Sequence, residues 1–140
     1  MSSPNAERNA ELVRSLIVAS PFGTLVGLRL EEVVPDRVRV RMPFRLDLTT
    51  IADVVHGGAI ASLVDVAATA AAWSGAEGGQ GARGTTIGFS VSFLAAGRGQ
   101  DLLATARVLQ RGRSICVIEV EVTGADGAAV ARALVTYKLG

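Results

Sequence analysis

The feature that most constrains the fold is one long apolar segment, residues 57–73, whose residues repeat with the period of an α-helix. At about 100° per residue, its apolar side chains cover more than half of the helix circumference. A helix of that kind is normally enclosed by other elements. The rest of its surface is one line of small or polar residues, which consists of Gly58, Ser62, Asp65 and Thr69. The sequence therefore predicts a core helix with a single carboxylate on its polar line.

Strand-like segments precede and follow this helix along the chain. Two come before it, at 25–34 and 37–43, and four come after it, at 85–95, 101–110, 114–123 and 128–138. Consecutive strands joined by short turns pair antiparallel. The order of elements therefore predicts an α+β fold in which a helix packs on one face of an antiparallel sheet.

The remaining segments complete a single domain. Residues 5–18 have the pattern of a short amphipathic helix, which the following Ser-Pro-Phe-Gly ends, and residues 44–55 form a connection. One domain is the default for a chain of 140 residues. We therefore assign residues 1–140 to one domain, with residues 1–21 as its N-terminal helix and lead-in.

Composition and charge exclude several classes of function. The net charge of +1 lacks the basic surplus of a dedicated nucleic-acid binder. One cysteine and one histidine are too few for an intrachain disulfide or a conventional zinc site. Neither a secretory leader nor a membrane-spanning window is evident, so we expect a cytoplasmic protein that binds neither nucleic acid nor membrane.

Two further features have structural explanations. The loop Gly75–Gly84 contains a literal G-x-G-x-x-G, but it follows a helix and precedes a strand, which reverses the dinucleotide-binding context. Cys116 alternates in step with Ile118 and Val120, so we predict that it points inward as a small hydrophobic residue. Neither feature indicates a cofactor or a reactive thiol.

The start of the long helix carries the features that indicate chemistry. His56 precedes Gly57-Gly58, a pair that suits a helix start approached closely by a ligand. The first N–H groups of a helix have no intrahelical partners and carry partial positive charge, which stabilises an oxyanion. Asp65 lies roughly 10 Å from Gly58 along the helix axis. We therefore expect Asp65 to serve not its own helix start but that of a second subunit whose helix packs antiparallel.

The set His56-Gly57-Gly58 with Asp65, on an Ala-rich helix between two groups of strands, resembles the hotdog thioesterases of the phenylacetate-degradation (PaaI) branch, which are related to the 4-hydroxybenzoyl-CoA thioesterases. The resemblance implies a sheet wrapped around a central helix and a homodimer or homotetramer with shared active sites. It also implies hydrolysis of a small-to-medium acyl- or aryl-CoA thioester to the free acid and CoA. CoA is part of that substrate, and no separate cofactor is implied.

The resemblance further implies roles for individual residues. The Gly57 N–H would polarise the thioester carbonyl, Asp65 of the partner subunit would act as nucleophile or general base, and His56 would shape the loop that holds the substrate. Thr86 lies where the family often has a Ser or Thr that assists the attacking water. The substrate-binding residues carried over are Thr50, Gly58, Arg98 and the turn Arg111-Gly112-Arg113, whose guanidinium groups suit phosphates.

Thr50 is a departure from the family pattern, which commonly has Asn six residues before the histidine. Asn offers a donor and an acceptor to a water, whereas Thr offers one hydroxyl. The chain also has Ala95-Ala96 where the family often has Pro. A non-catalytic acyl-CoA binding or sensing module is therefore an alternative, and a hotdog hydratase ranks lower because no histidine lies on the helix.

Taken singly, the same residues also have structural explanations. A lone histidine before a helix is commonly a loop residue, two adjacent glycines form a turn, and a single helix carboxylate usually lies at the surface. The turn Arg111-Gly112-Arg113 would then be a solvated hairpin corner. It is their occurrence together, in this order and layout, that favours a functional site.

Overall fold

The computed structural model describes residues 3–77 and 83–140. Half of the predicted Gly-rich loop, residues 78–82, which include the G-x-G-x-x-G glycines other than Gly84, therefore lies outside the described residues. Three α-helices, α1 (Pro4–Leu12), α2 (Pro21–Val26) and α3 (Gly57–Ser74), and eight strands are present in the part of the chain that is described. The strands are β1 (Arg29–Val34), β2 (Arg37–Met42), β3 (Thr49–Ile51), β4 (Val54–Val55), β5 (Gly84–Phe93), β6 (Leu102–Arg111), β7 (Ile115–Gly124) and β8 (Ala129–Leu139).

The N-terminal region contains more helix than the sequence predicts. Helix α1 continues as a π-helical turn over Val13–Val18, which agrees with the predicted helix over residues 5–18. The Ser-Pro-Phe-Gly segment does not only end that helix but also begins α2, because the Ser20 side chain accepts a hydrogen bond from the Gly23 N–H at 3.1 Å. Helix α2 ends at Gly27, whose φ of 88° is the left-handed conformation that glycine adopts most readily. The predicted strand over 25–34 is therefore wrong at its start and begins at Arg29.

Six strands form one antiparallel sheet in the order β1-β2-β6-β7-β8-β5. The alternation of the sequence sets the two faces, as on β2, where Val38 and Val40 are buried and the arginines that alternate with them lie on the opposite face. The predicted connection over 44–55 contains the short hairpin β3–β4. The predicted antiparallel α+β architecture is confirmed.

Helix α3 lies across one face of the sheet and packs on β2, β6, β7 and β8. Ile60, Leu63 and Val64 are buried against the sheet, together with five alanines in the second half of the helix, Ala67, Ala68, Ala70, Ala71 and Ala72. By length and composition α3 is the one helix among the described residues that could span a membrane, but half of its length is buried inside the protein. It is therefore the core helix of the domain, as its apolar character predicts.

Strand β5 is an edge strand whose core face is left uncovered. Phe89 and Phe93 stand opposite Val135 and Ala131, which are buried in the core, so all four side chains lie on the same face of the sheet. Phe89 and Phe93 are nevertheless 41% and 54% exposed. An exposed apolar edge of this kind is normally covered by another chain.

Candidate active site

The start of α3 presents a backbone donor, the Gly57 N–H, for which no hydrogen-bond partner is found among the described residues. His56 occupies the N-cap position, and its Nδ1 accepts a hydrogen bond from the Gly58 N–H at 2.8 Å. The His56 carbonyl accepts from the Ala59 and Ile60 N–H groups, which begin the helical ladder. Gly57 is the first helical residue, and its N–H precedes that ladder. The capping by His56 therefore fixes the orientation in which the Gly57 N–H is presented.

A cavity of about 400 Å³ opens at this helix start. We name it the mouth cavity, and it is lined by Thr50, Val54, Val55, Gly57, Ile60, Phe93, Leu94, Ala95, Ala96 and Gly97. Its lining is uncharged and largely apolar, apart from the Thr50 hydroxyl and the Gly57 backbone. The structure therefore brings Thr50 and Gly57 together, whereas Gly58 lies exposed beside them.

Asp65 and Thr86 form the second part of the candidate site. The Thr86 hydroxyl donates a hydrogen bond to Asp65 Oδ1 at 2.7 Å, and both side chains are half-buried. The bond joins the polar line of α3 to the edge strand β5. Asp65 lies about 12 Å from Gly57 along the helix axis, at 1.5 Å per residue. Asp65 is not one of the described residues that line the mouth cavity.

Trp73 and Tyr137 form a hydrogen-bonded pair near Asp65 that the sequence pattern does not predict. The Trp73 indole N–H donates to the Tyr137 hydroxyl at 2.9 Å, and Tyr137 stands opposite Thr86 in the β5–β8 ladder. Burial raises the pKa of Tyr137 above its usual value, and the charge of Asp65 raises it further, while the Trp73 hydrogen bond opposes both. The one usable sequence signal was the spacing of four from Thr69 to Trp73, which continues the polar line of α3.

Arg98 lies at the rim of the mouth cavity, as a substrate-binding role requires. Its Nη1 is 3.4 Å from Asp53 Oδ1, and the Arg98 side chain is 63% exposed. Arg98 also forms an isolated β-bridge with Val54, a residue of the cavity lining. Asp53 has no signal in the sequence that predicts this pairing, because nothing in the local pattern shows that residues so distant along the chain come together.

Arg111 is engaged by the protein itself, at the opposite end of α3. Its Nη2 donates to Asp36 Oδ1 at 2.7 Å and to the Ala72 carbonyl at 3.0 Å. Its Nη1 lies 3.4 Å from Cys116 Sγ, and Cys116 is buried as predicted. A cation at the last carbonyls of a helix also interacts favourably with the helix dipole. Arg111 therefore ties the β6–β7 hairpin to the β1–β2 turn and to the end of α3.

The other two residues of that turn are placed differently from Arg111. The Gly112 N–H donates to the Ile115 carbonyl at 2.8 Å and closes the β6–β7 hairpin. Arg113 is exposed. Within one subunit both lie at the far end of α3 from the mouth cavity, so they approach it only if a partner helix runs antiparallel.

Replacing Arg111 with Gln is expected to lower the free energy of unfolding by about 1–2 kcal/mol, because hydrogen bonds from a charged group contribute about 1.5–3 kcal/mol and solvent screens the half-exposed Asp36 partner. Urea unfolding followed by circular dichroism measures this change. The matched control is Arg113→Gln, two residues away and exposed, which is expected to leave stability unchanged. Equal stability of the two variants would contradict the anchoring role of Arg111.

Comparison with known proteins agrees with this fold. A sequence model of the family "Thioesterase superfamily" matches residues 52–131. The medium/long-chain acyl-CoA thioesterase YigI of Salmonella typhimurium is 30% identical over 96% of this chain and 96% of its own length. The crystal structure of a thioesterase family protein from Silicibacter pomeroyi has a TM-score of 0.86 at 28% identity, covering 94% of this chain and 97% of that one.

The E. coli PaaI protein from the phenylacetic acid degradation operon shares the fold, with a TM-score of 0.82 at 21% identity over 96% of this chain and 92% of that one. The sheet wrapped on one long helix in this chain is thus the hotdog arrangement that the sequence resemblance implies. With more than half of its residues matched by the family and a near full-length relative at 30% identity, the chain belongs to the thioesterase superfamily and is a thioester hydrolase of the hotdog fold.

Proposed function

We propose that this protein hydrolyses small-to-medium acyl- or aryl-CoA thioesters in the cytoplasm, and that it does so as a homodimer or homotetramer with shared active sites. The observation that carries the proposal is the Thr86–Asp65 hydrogen bond on the polar line of α3. It holds a carboxylate and a hydroxyl side by side where no other charged side chain of α3 lies. The name of the Salmonella relative, an acyl-CoA thioesterase, supports the choice of thioester.

The reaction needs only water and groups of the protein. Because the Thr86 hydroxyl bonds Asp65 Oδ1, the other carboxylate oxygen is available to accept a proton from a water. That water attacks the thioester carbonyl carbon, and the resulting oxyanion accepts a hydrogen bond from the Gly57 N–H. The tetrahedral intermediate collapses, the carbon–sulfur bond breaks, and the CoA thiolate leaves and takes up the proton. We assign Asp65 the role of general base and expect no cofactor requirement.

The dimer is supported by three features of a single subunit. Asp65 and Gly57 lie about 12 Å apart along one helix, which is too far for both to contact one carbonyl. The polar line of α3 is only half-buried or exposed in one subunit, and the core face of β5 exposes Phe89 and Phe93. A second copy related by a two-fold axis covers both surfaces and brings Asp65 of the partner subunit to the Gly57 N–H.

Replacing Ser62 with Arg is expected to convert the oligomer to smaller species and to abolish turnover. Ser62 lies between Gly58 and Asp65 on the polar line of α3. An arginine at this position in each subunit would therefore meet the same arginine of the other subunit across the two-fold axis. Light scattering reports the mass, and circular dichroism checks that the subunits remain folded. Ser62→Ala is the matched control and should keep the wild-type mass. A wild-type protein that is strictly monomeric and active would contradict the shared site.

A panel of CoA thioesters tests the function itself. Free thiol release is followed with acyl chains of increasing length and with aryl-CoAs, with and without a chelator. We expect release that is insensitive to the chelator. Thr50, which lines the mouth cavity in place of the usual Asn, favours a second candidate function, the non-catalytic acyl-CoA binding module. Tight binding of the same thioesters without thiol release would support that second function and contradict the first.

A further inference from the structure

The rim of the mouth cavity is built where the β3–β4 hairpin meets the loop after β5. The Val55 N–H donates to the Gly97 carbonyl at 2.8 Å, and the Gly99 N–H donates to the Asp53 carbonyl at 2.9 Å. Val54 and Arg98 form an isolated antiparallel bridge between these two bonds. Two segments that are far apart in sequence are therefore fixed to each other by their backbones at the entrance to the cavity.

This interlock places two opposite charges at the entrance. In the segments 50–60 and 93–99, which line and flank the cavity, Arg98 is the one arginine or lysine, and Asp53 is the one acidic residue. Their side chains approach to 3.4 Å and are 63% and 51% exposed. Gly99 has a φ of 55°, and a Cβ there would lie 3.0 Å from Asp53 Oδ2, so the glycine lets the loop approach the carboxylate.

The Asp53–Arg98 ion pair is weak enough for a phosphate to replace Asp53 as the partner of Arg98. An exposed ion pair contributes little stability, because water and salt screen it and two long side chains must be ordered. A guanidinium binds phosphate oxygens through paired donors at fixed geometry. Within the segments 50–60 and 93–99 of its own subunit, a phosphorylated ligand that enters the mouth cavity therefore meets one arginine or lysine, Arg98, which a carboxylate already pairs with.

We propose that Asp53 is a specificity-determining residue that competes with the phosphates of the thioester substrate for Arg98. This inference rests on the proposed acyl-CoA function and deepens it. The competition weakens the binding of substrate and of product CoA alike, and it leaves the chemistry at the carbonyl untouched. Arg98 binds phosphate when a ligand is present and pairs with Asp53 when it is not.

The test compares each acyl-CoA with the thioester of the same acyl group and pantetheine, which lacks phosphates. Asp53→Asn is expected to lower KM for acyl-CoA about two- to fivefold, the range that an exposed ion pair allows, with a much smaller change in kcat. This decrease in KM for acyl-CoA should vanish at high salt. KM for the pantetheine thioester should stay unchanged. Arg98→Gln should raise KM for acyl-CoA alone, and in that background Asp53→Asn should have a reduced effect.

Asp47→Asn is the matched control, because Asp47 lies in the same connection with its side chain 86% exposed. If Asp53→Asn raises KM for acyl-CoA, or shifts KM equally for both thioesters, the competition is overturned and Asp53 has only a structural role. Calorimetric titration with free CoA and with pantetheine separates this inference from the proposed function. If no thioester is hydrolysed, tighter CoA binding by Asp53→Asn still supports the competition, and unchanged binding overturns it.

Discussion

Replacing Asp65 with Asn is expected to lower kcat by about a hundred- to ten-thousandfold, the range lost when a general base is removed. Asparagine keeps the size of the side chain and can still accept the hydrogen bond from Thr86, so the fold should survive. What it cannot do is take a proton from water at neutral pH. Steady-state thiol release on the best CoA thioester of the panel measures the loss.

The matched control for this variant is Asp126→Asn, an exposed carboxylate in the β7–β8 turn, which should retain wild-type turnover. Thr86→Val adds a second comparison, because it removes the hydroxyl that orients Asp65 and keeps the branched shape. We expect a smaller loss from Thr86→Val than from Asp65→Asn. Full activity in a well-folded Asp65→Asn protein would rule out the proposed mechanism.

Replacing Gly57 with Pro is expected to lower kcat by about a hundred- to a thousandfold, because it deletes the N–H that would bind the oxyanion. Proline is favoured at the first position of a helix, and the preceding His56 has φ −61° and ψ 136°, an extended conformation that a following proline accepts. A Cβ at Gly57 would meet only the Phe93 ring, at 3.6 Å. The substitution therefore removes a donor and leaves the helix in place.

Gly57→Ala is the control for this variant, because it adds the same Cβ and keeps the N–H. Its turnover should remain close to wild type, and circular dichroism should show the same helix content for both variants. If Gly57→Ala loses as much activity as Gly57→Pro, the loss comes from filling the mouth cavity and not from the missing donor. The two variants thus separate electrostatic stabilisation from steric exclusion.

The two inactive variants together test whether the site is shared. When Asp65→Asn and Gly57→Pro subunits are mixed and re-associate at random, half of the dimers are hybrids, and each hybrid has one intact site. The mixture should therefore recover about a quarter of wild-type activity. If Asp65 acted on its own helix start, every site would carry a lesion, and mixing would recover nothing.

Much of the fold could be predicted because its signals are local and periodic. The apolar character of α3 requires enclosure, and the alternation of residues such as Val38 and Val40 sets the faces of the strands. The prediction misses α2 because Ser-Pro-Phe-Gly contains a Ser-Pro pair, which commonly begins a helix, and a glycine, which commonly ends one. In the structure that glycine, Gly23, lies inside α2. Only the observed cap at Ser20 decides between them.

The candidate site also has one part that the sequence predicts and another that only the structure shows. The family resemblance gives Thr86 a role in assisting the attacking water, but only the structure shows that its hydroxyl bonds Asp65. The engagement of Arg111 by Asp36 could not be inferred, because it depends on which hairpin corner lies beside the end of α3. Tertiary pairs such as Asp53 with Arg98 leave no periodic trace in the sequence.

The uncovered core face of β5 makes this protein sensitive to its own concentration. A face that exposes Phe89 and Phe93 in one subunit is protected only by association, so folding and assembly are linked by mass action. The midpoint of thermal unfolding should rise with protein concentration. The specific activity, which is the activity per molecule, should fall on extreme dilution. An added osmolyte that favours burial should restore the activity lost on dilution.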